Sequence, residues 1–179
     1  MSMEVYSRVI HYTDTSFSQI ERLIAISTDC EQHFKMKCFK VKLFKSNGKI
    51  VAWWVSHDGS NRTYWNGANE TNQGCACAVS NSCDSSSGLC NCDQNDDKWC
   101  EDVGLLTNKM HLPVTKLRLV DVGGRKEKAN YTLGSLKCNG MNYSPHCFHW
   151  SAHIRHWPWT NSSIVFQPGR VLTFINGTI

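Results

Sequence analysis

Cysteine is the residue type with the most chemistry to offer in this chain of 179 residues. Six of the ten cysteines, Cys75, Cys77, Cys83, Cys90, Cys92 and Cys100, fall in one stretch that is otherwise rich in Ser, Asn, Asp and Gly. As thiolates they could hold zinc, but structural zinc sites favour two to four residues between paired cysteines. The close pairs here, Cys75/Cys77 and Cys90/Cys92, have a single residue between them, and chelation by both sulfurs of such a pair is strained. As disulfides, the same residues would order a segment too poor in apolar side chains to order itself by burial. Disulfides are the preferred reading, and they imply an oxidising, extracellular environment.

Other groups offer weaker chemistry. Asp93, Asp96, Asp97 and Asp102 are hard oxygen donors that could bind calcium near the cysteines. Their spacing is not that of an EF-hand, and Asp96 or Asp97 could instead cap a short helix over DDKWCEDVGLL. His149, His153 and His156 recur at helical spacing with Cys147 nearby, a pattern that could bind zinc, but Pro158 argues against a regular helix there. Cys90, Cys92 and Cys100 imitate the end of an EGF module, yet the spacing from Cys75 to Cys83 is too compact for one. His57 beside Asp58 forms half a dyad in a His-Asp-Gly-Ser turn, where both residues suit surface turn chemistry. No nucleophile elbow, zincin motif or phosphate-binding loop occurs, so no enzyme is expected.

The composition fits a globular chain with one core: 41% of residues are apolar and seven are Trp. No apolar run is long enough to span a membrane, and no secretory leader is visible at the start, which reads as a fragment or an incomplete gene model. Sequons at Asn61, Asn69, Asn130, Asn161 and Asn176 mark candidate glycosylation sites, while a sixth at Asn142 is weakened by Pro145 downstream. The net charge of +4 is unevenly spread. Lysines crowd residues 35–49 and acids crowd residues 84–102. A solvated strand face accounts for the lysines, and extracellular chemistry disfavours a nucleic-acid partner.

The elements that must position these residues follow from periodicity. A helix is expected over Thr13–Ser27, with N-cap oxygens at Asp14, Thr15 and Ser16 and a buried face of Ile20, Leu23, Ile24 and Ser27. Phe34, Met36 and Cys38 alternate as in a strand, and the phase slips near Cys38-Phe39 to Val41 and Leu43, which suggests a bulge. Asn47-Gly48 is a hairpin turn leading into IVAWWV. Leu112–Val122 reads as a strand, with Gly123-Gly124 as a turn and KANYTLGSLKC as its pairing partner. The expected class is α+β: an antiparallel sheet, a short N-terminal helix and one long disulfide-rich loop. Residues 143–179, dense in Trp and His, read as a separate tail of unknown fold.

Several of these runs resemble one known family. SFSQIERLIAISTDCEQHFKMKC, WWVSHDGSNRTYWNGA, the CAC and CNCD units, Trp99, Asp102, Gly104 with LLTNK, LPV and GSLKCNG occur in order. They are similar to the fibrinogen-like region of contactin-associated proteins, neurexin-related receptors of the cell surface. The resemblance covers a module at about residues 5–142. It implies an extracellular, fibrinogen-like adhesion or recognition module within a larger surface or secreted protein, with a protein or glycan ligand. The family-type cysteines are Cys30, Cys38, Cys75, Cys77, Cys83, Cys90, Cys92 and Cys138, with Cys30–Cys38 the favoured local bridge. Cys100 and Cys147 are not part of the pattern, and the strand and cysteine that usually open the module precede the first residue here. The alternative function is a calcium-dependent fibrinogen-like lectin, with Trp53, Trp54, Tyr64 and Trp65 stacking on sugar rings.

Overall fold

The computed structural model describes residues 6–12, 15–44, 47, 49–84 and 88–140, together with the backbone of two further strands at 164–166 and 174–178. Within it, helix α1 (Phe17–Ile26) begins at Ser16. The Ser16 side chain accepts from the Gln19 backbone N–H, and Gln19 Oε1 accepts from the Ser16 N–H in return. This reciprocal cap fixes the start of the helix. Its apolar face, Ile20, Leu23 and Ile24, is buried, and Ser27 closes the end with its hydroxyl on Leu23 O at 2.7 Å. Lys109 Nζ adds a donor to Ser27 O at 2.6 Å, where the helix dipole favours a cation. Asp14 lies outside the described residues.

Two antiparallel sheets enclose the core, rather than the single sheet expected. The first orders its strands β1 (Tyr6–Val9), β6 (Lys116–Leu119), β3 (Ala52–Val55) and β4 (Asn61–Arg62). The second runs β5 (Trp99–Leu106), β2 (Asp29–Phe39), β7 (Lys128–Asn139), with β8 (Ile164–Phe166) and β9 (Phe174–Thr178) along the far side of β7. Along β2, the even-numbered residues from Cys30 to Cys38 are buried, while the odd-numbered ones face outward. One long strand thus carries a dry face and a wet face, as alternation requires.

Three sequence expectations fail here for physical reasons. Residues 96–106 do not form a helix. Instead Trp99–Leu106 pairs with β2 over eight residues, and its inward positions Asp102 and Leu106 are buried. Tertiary pairing therefore overrides the local capping signal of Asp96 and Asp97. The strand after Gly123-Gly124 does not pair with the one before it: β6 joins the first sheet and β7 pairs with β2 in the second. The irregularity in β2 lies between Gln32 and Phe34 against β7, and the slip at residue 40 is a left-handed Lys40 (φ 57°) that ends the strand. The Asn47 turn does bring Phe44 and Ile50 together, but β3 finds its ladder partners in β4 and β6.

The core joins both sheets and α1. Trp54 and Tyr64 meet edge to face at 5.3 Å, and Trp54 Nε1 donates to Tyr64 O at 2.7 Å. Phe34 and Trp65 pack at 5.2 Å. Buried Gln32 is fully employed, donating to Tyr12 Oη and Gly134 O and accepting from the Val114 N–H. Gly104 is required where it stands, because a Cβ there would collide with the backbone carbonyl of Asn66.

Candidate recognition surface

The cysteine-rich stretch is a connection between the two sheets, and three disulfides run through it. Cys77–Cys83 closes a six-residue separation, Cys75–Cys90 joins the two C-x-C units, and Cys38–Cys92 ties the loop to β2. A fourth, Cys30–Cys138, clamps β2 to β7 at directly opposed positions. The Cys30–Cys38 bridge expected from the resemblance does not form. Both residues lie on β2, eight positions apart, which is about 26 Å of extended chain. A disulfide spans no more than about 7 Å between Cα atoms. Cys100 is free among the described residues, and burial together with nearby Asp96 pushes its thiol pKa up. Cys147 and the histidines at 149, 153 and 156 lie outside the described residues.

The acids proposed for calcium serve the backbone instead of converging. Asp93 is buried. Its Oδ1 accepts from the Leu43 and Phe44 N–H groups at 3.0 and 2.9 Å, and its Oδ2 from those of Leu89 and Cys90, both at 3.0 Å. Asp102 accepts from the Asn91 and Cys92 N–H groups, each at 2.9 Å. These two carboxylates supplement the two single helical turns of the loop, Ala76–Val79 and Asn91–Gln94, supplying acceptors to amides that would otherwise be buried unpaired. Burial raises the pKa of both against the opposing effect of those amides, that of Asp102 to about 6. Asp96 accepts from Lys98 N–H, and Asp97 pairs with Lys40 at 2.7 Å. Calcium at Asp93 would have to displace amide donors, since each of its oxygens already accepts two, whereas each Asp102 oxygen accepts one. Among the described residues the one convergent set of metal-type ligands is Cys75, Cys90 and Asp102, whose two sulfurs are bonded to each other.

So anchored, the loop delivers β5 to the edge of the second sheet with its outer side chains facing solvent. Trp99, Val103 and Leu105 are exposed there, and Trp99 is 50% accessible. Between them Glu101 pairs with Lys35 at 2.9 Å and Lys37 at 3.4 Å across the β2–β5 register. The basic and acidic tracts therefore neutralise one another across strands. Lys37, Trp99, Cys100, Glu101 and Asn130 line a shallow depression of about 380 Å³ on this face.

A second polar cluster lies by β4 and the loops around it. Arg62 pairs with Asp58 and Glu70, Glu70 also accepts from His111 Nε2 at 3.2 Å, and His111 Nδ1 meets Tyr64 Oη at 2.7 Å. Burial, then the Arg62 charge, lowers the His111 pKa, so the neutral imidazole can accept from Tyr64 while donating to Glu70. His57 and Asp58 do not form a dyad. His57 contacts Met110 O at 2.9 Å, and Asp58 accepts from Ser56 and from the Ser60 N–H. The Ser56 hydroxyl, followed by the Ser60 amide, holds the Asp58 carboxyl far below its ordinary pKa. This cluster draws on residues 58 to 111, and nothing in their local spacing announces it.

Of the aromatics considered for stacking on sugars, Trp54, Tyr64 and Trp65 are buried, and Trp53 is half-buried. The sequon asparagines Asn61 and Asn69 are exposed, with Asn69 Oδ1 accepting from Thr71 and Asn72 in a tight turn. Asn130 is half-buried on β7. Asn176 lies on β9, and Asn142 and Asn161 fall outside the described residues.

No protein-family model matches the chain. Over 149 residues, 82% of its length, it is 31% identical to human contactin-associated protein 1. The chain carries a contactin-associated-protein-related domain. It spans 11% of the length of that relative. In this contactin-associated-protein-related domain, antiparallel sheets with few helices and four disulfides fit an α+β fold, and no helix among the described residues is long and apolar enough to cross a membrane.

Proposed function

We propose that this domain is a noncatalytic extracellular adhesion or recognition module of fibrinogen-like type, part of a larger surface or secreted protein. The observation that carries the reading is the similarity to contactin-associated protein 1 across most of the chain. The relative's name records association with contactin, so a cell-surface glycoprotein of that kind is the partner we propose. The disulfide network supports it: a loop with so few apolar side chains keeps its shape only where cystines persist. The lectin alternative gains nothing from the aromatic block, because Trp54, Tyr64 and Trp65 are used in the core.

The reading is tested by secreting the domain from animal cells and mapping its peptides without reduction. We expect the four bridges, and saturable binding of the purified domain to contactin-type ectodomains that survives chelation and is lost on reduction. Free thiols in the secreted protein, or no binding to any such ectodomain, would overturn it.

A further inference from the structure

We infer that the outer face of β5, β2 and β7 is the seat of an N-linked glycan attached at Asn130, whose first sugars lie across the Lys37–Glu101 pair onto the ring of Trp99. The inference rests on the extracellular reading and adds to it a folded position for one particular glycan. Asn130 heads the sequon Asn130-Tyr131-Thr132 and lines the depression together with Trp99, Lys37 and Glu101. Its register partner on β2 is Lys37, and Lys37 is in turn opposite Glu101 on β5. Asn130 thus stands two strand spacings from β5, about 10 Å, which is the span of a disaccharide.

Each wall of the depression offers what a sugar binds. Trp99 packs on Phe39 with ring centroids 5.7 Å apart and remains half exposed, so its ring is held in place and presents an apolar surface to the C–H groups of a pyranose. Lys37 and Glu101, already paired to each other, hydrogen-bond hydroxyls as donor and acceptor. Asn130 Oδ1 is buried without a hydrogen-bond partner. An exposed Trp on an edge strand is otherwise a liability for association, and a covalently attached sugar covers it.

The attachment itself is ordinary group transfer from a lipid-linked oligosaccharide diphosphate before the strand folds. The Asn130 Nδ2–C1 bond forms as the bond from C1 to the diphosphate oxygen breaks. The lipid diphosphate leaves with the electron pair, the Nδ2 proton passes to a base of the transferase, and nothing is oxidised or reduced.

The experiment uses the domain secreted from animal cells, with occupancy at each sequon read by glycopeptide mass spectrometry. Exposure of Trp99 is read by hydroxyl-radical footprinting of the native protein, before and after enzymatic removal of the glycans and in Asn130→Gln. We expect Asn130 to be occupied and Trp99 to oxidise roughly tenfold faster once its glycan is gone, since a ring-face contact shifts an equilibrium by about that factor. The enzymatically stripped protein keeps the comparison valid if Asn130→Gln fails to fold. Occupied Asn61 and Asn69 beside an unoccupied Asn130 would overturn this inference and leave the extracellular reading standing. Occupancy at Asn130 with unchanged Trp99 oxidation also overturns it. Absence of any glycan, with free thiols, would defeat both.

Discussion

The segment from Cys75 to Cys100 and the segment from Ser56 to Gly74 are both long connections packed against the same core, yet they are ordered by opposite means. The second contributes Tyr64 and Trp65 to the interior, and its charges gather at the rim around Arg62 and Glu70. The first has almost nothing apolar to bury except its cystines. It inverts the usual arrangement by placing carboxylates inside, where Asp93 and Asp102 take up backbone amides. Where large side chains are present, burial shapes the chain and polar contacts trim it. Where they are absent, covalent links and buried acceptors must do both.

The sharpest test removes the tie between loop and sheet. Replacing Cys38 and Cys92 together by Ala opens a closure of 54 residues, for which chain-entropy reasoning gives a loss of about 4 kcal/mol. Removing Cys77 and Cys83, six apart, should cost only about 2 kcal/mol. Denaturant titration that ranks them the other way breaks the covalent half of the comparison. On the burial side, Trp65→Ala should cost about 4 kcal/mol through the cavity beside Phe34. Asp93→Ala leaves four amide donors without their acceptor and is expected to cost about 3 kcal/mol. A loss comparable to that of a surface acid would show that the carboxylate is dispensable.

A pH series sharpens the same point. Asp102 has a folded pKa of about 6, above its unfolded value, so folding takes up a proton between about pH 4 and pH 6. Its contribution is fully present below that window and is lost as pH rises through it. The melting temperature of Asp102→Asn should therefore change less between about pH 4 and pH 7 than that of the parent, and equal slopes would contradict the assignment. The smallest effect is expected at the rim: Glu70→Ala, which removes the exposed partner of Arg62 and His111, should cost about 1 kcal/mol in the same titration.

What the sequence made legible divides along the same line. Helix α1 was readable because its cap and apolar stripe are local, and the alternation of Phe34, Met36 and Cys38 marked a buried strand face. The division into two sheets was not readable, because the partner of β7 lies about a hundred residues away on β2 while the nearest candidate, β6, is next in the chain. The caps offered by Asp96 and Asp97 favour a helix at β5, and only the facing strand decides otherwise. At the site, the cysteines and acids were visible as types, but their partners were not. Cys30 meets Cys138 through strand register and Asp93 meets Leu43 through the folding-back of the loop, neither of which spacing along the chain encodes.

The clamp between Cys30 and Cys138 has a mechanical consequence. Once β1 has peeled from β6, a pull transmitted along the backbone reaches β2 and β7 at two opposed positions joined by a covalent bond, and passes across that bond. The separation of 108 residues would release on the order of 370 Å of extended chain if it could unravel. With the bond intact none of that length is available, and only segments outside the clamp, such as β1 and α1, can lengthen under load. The cystine thus acts as a stop that keeps the outer face of β5 in shape while the segments outside it give way.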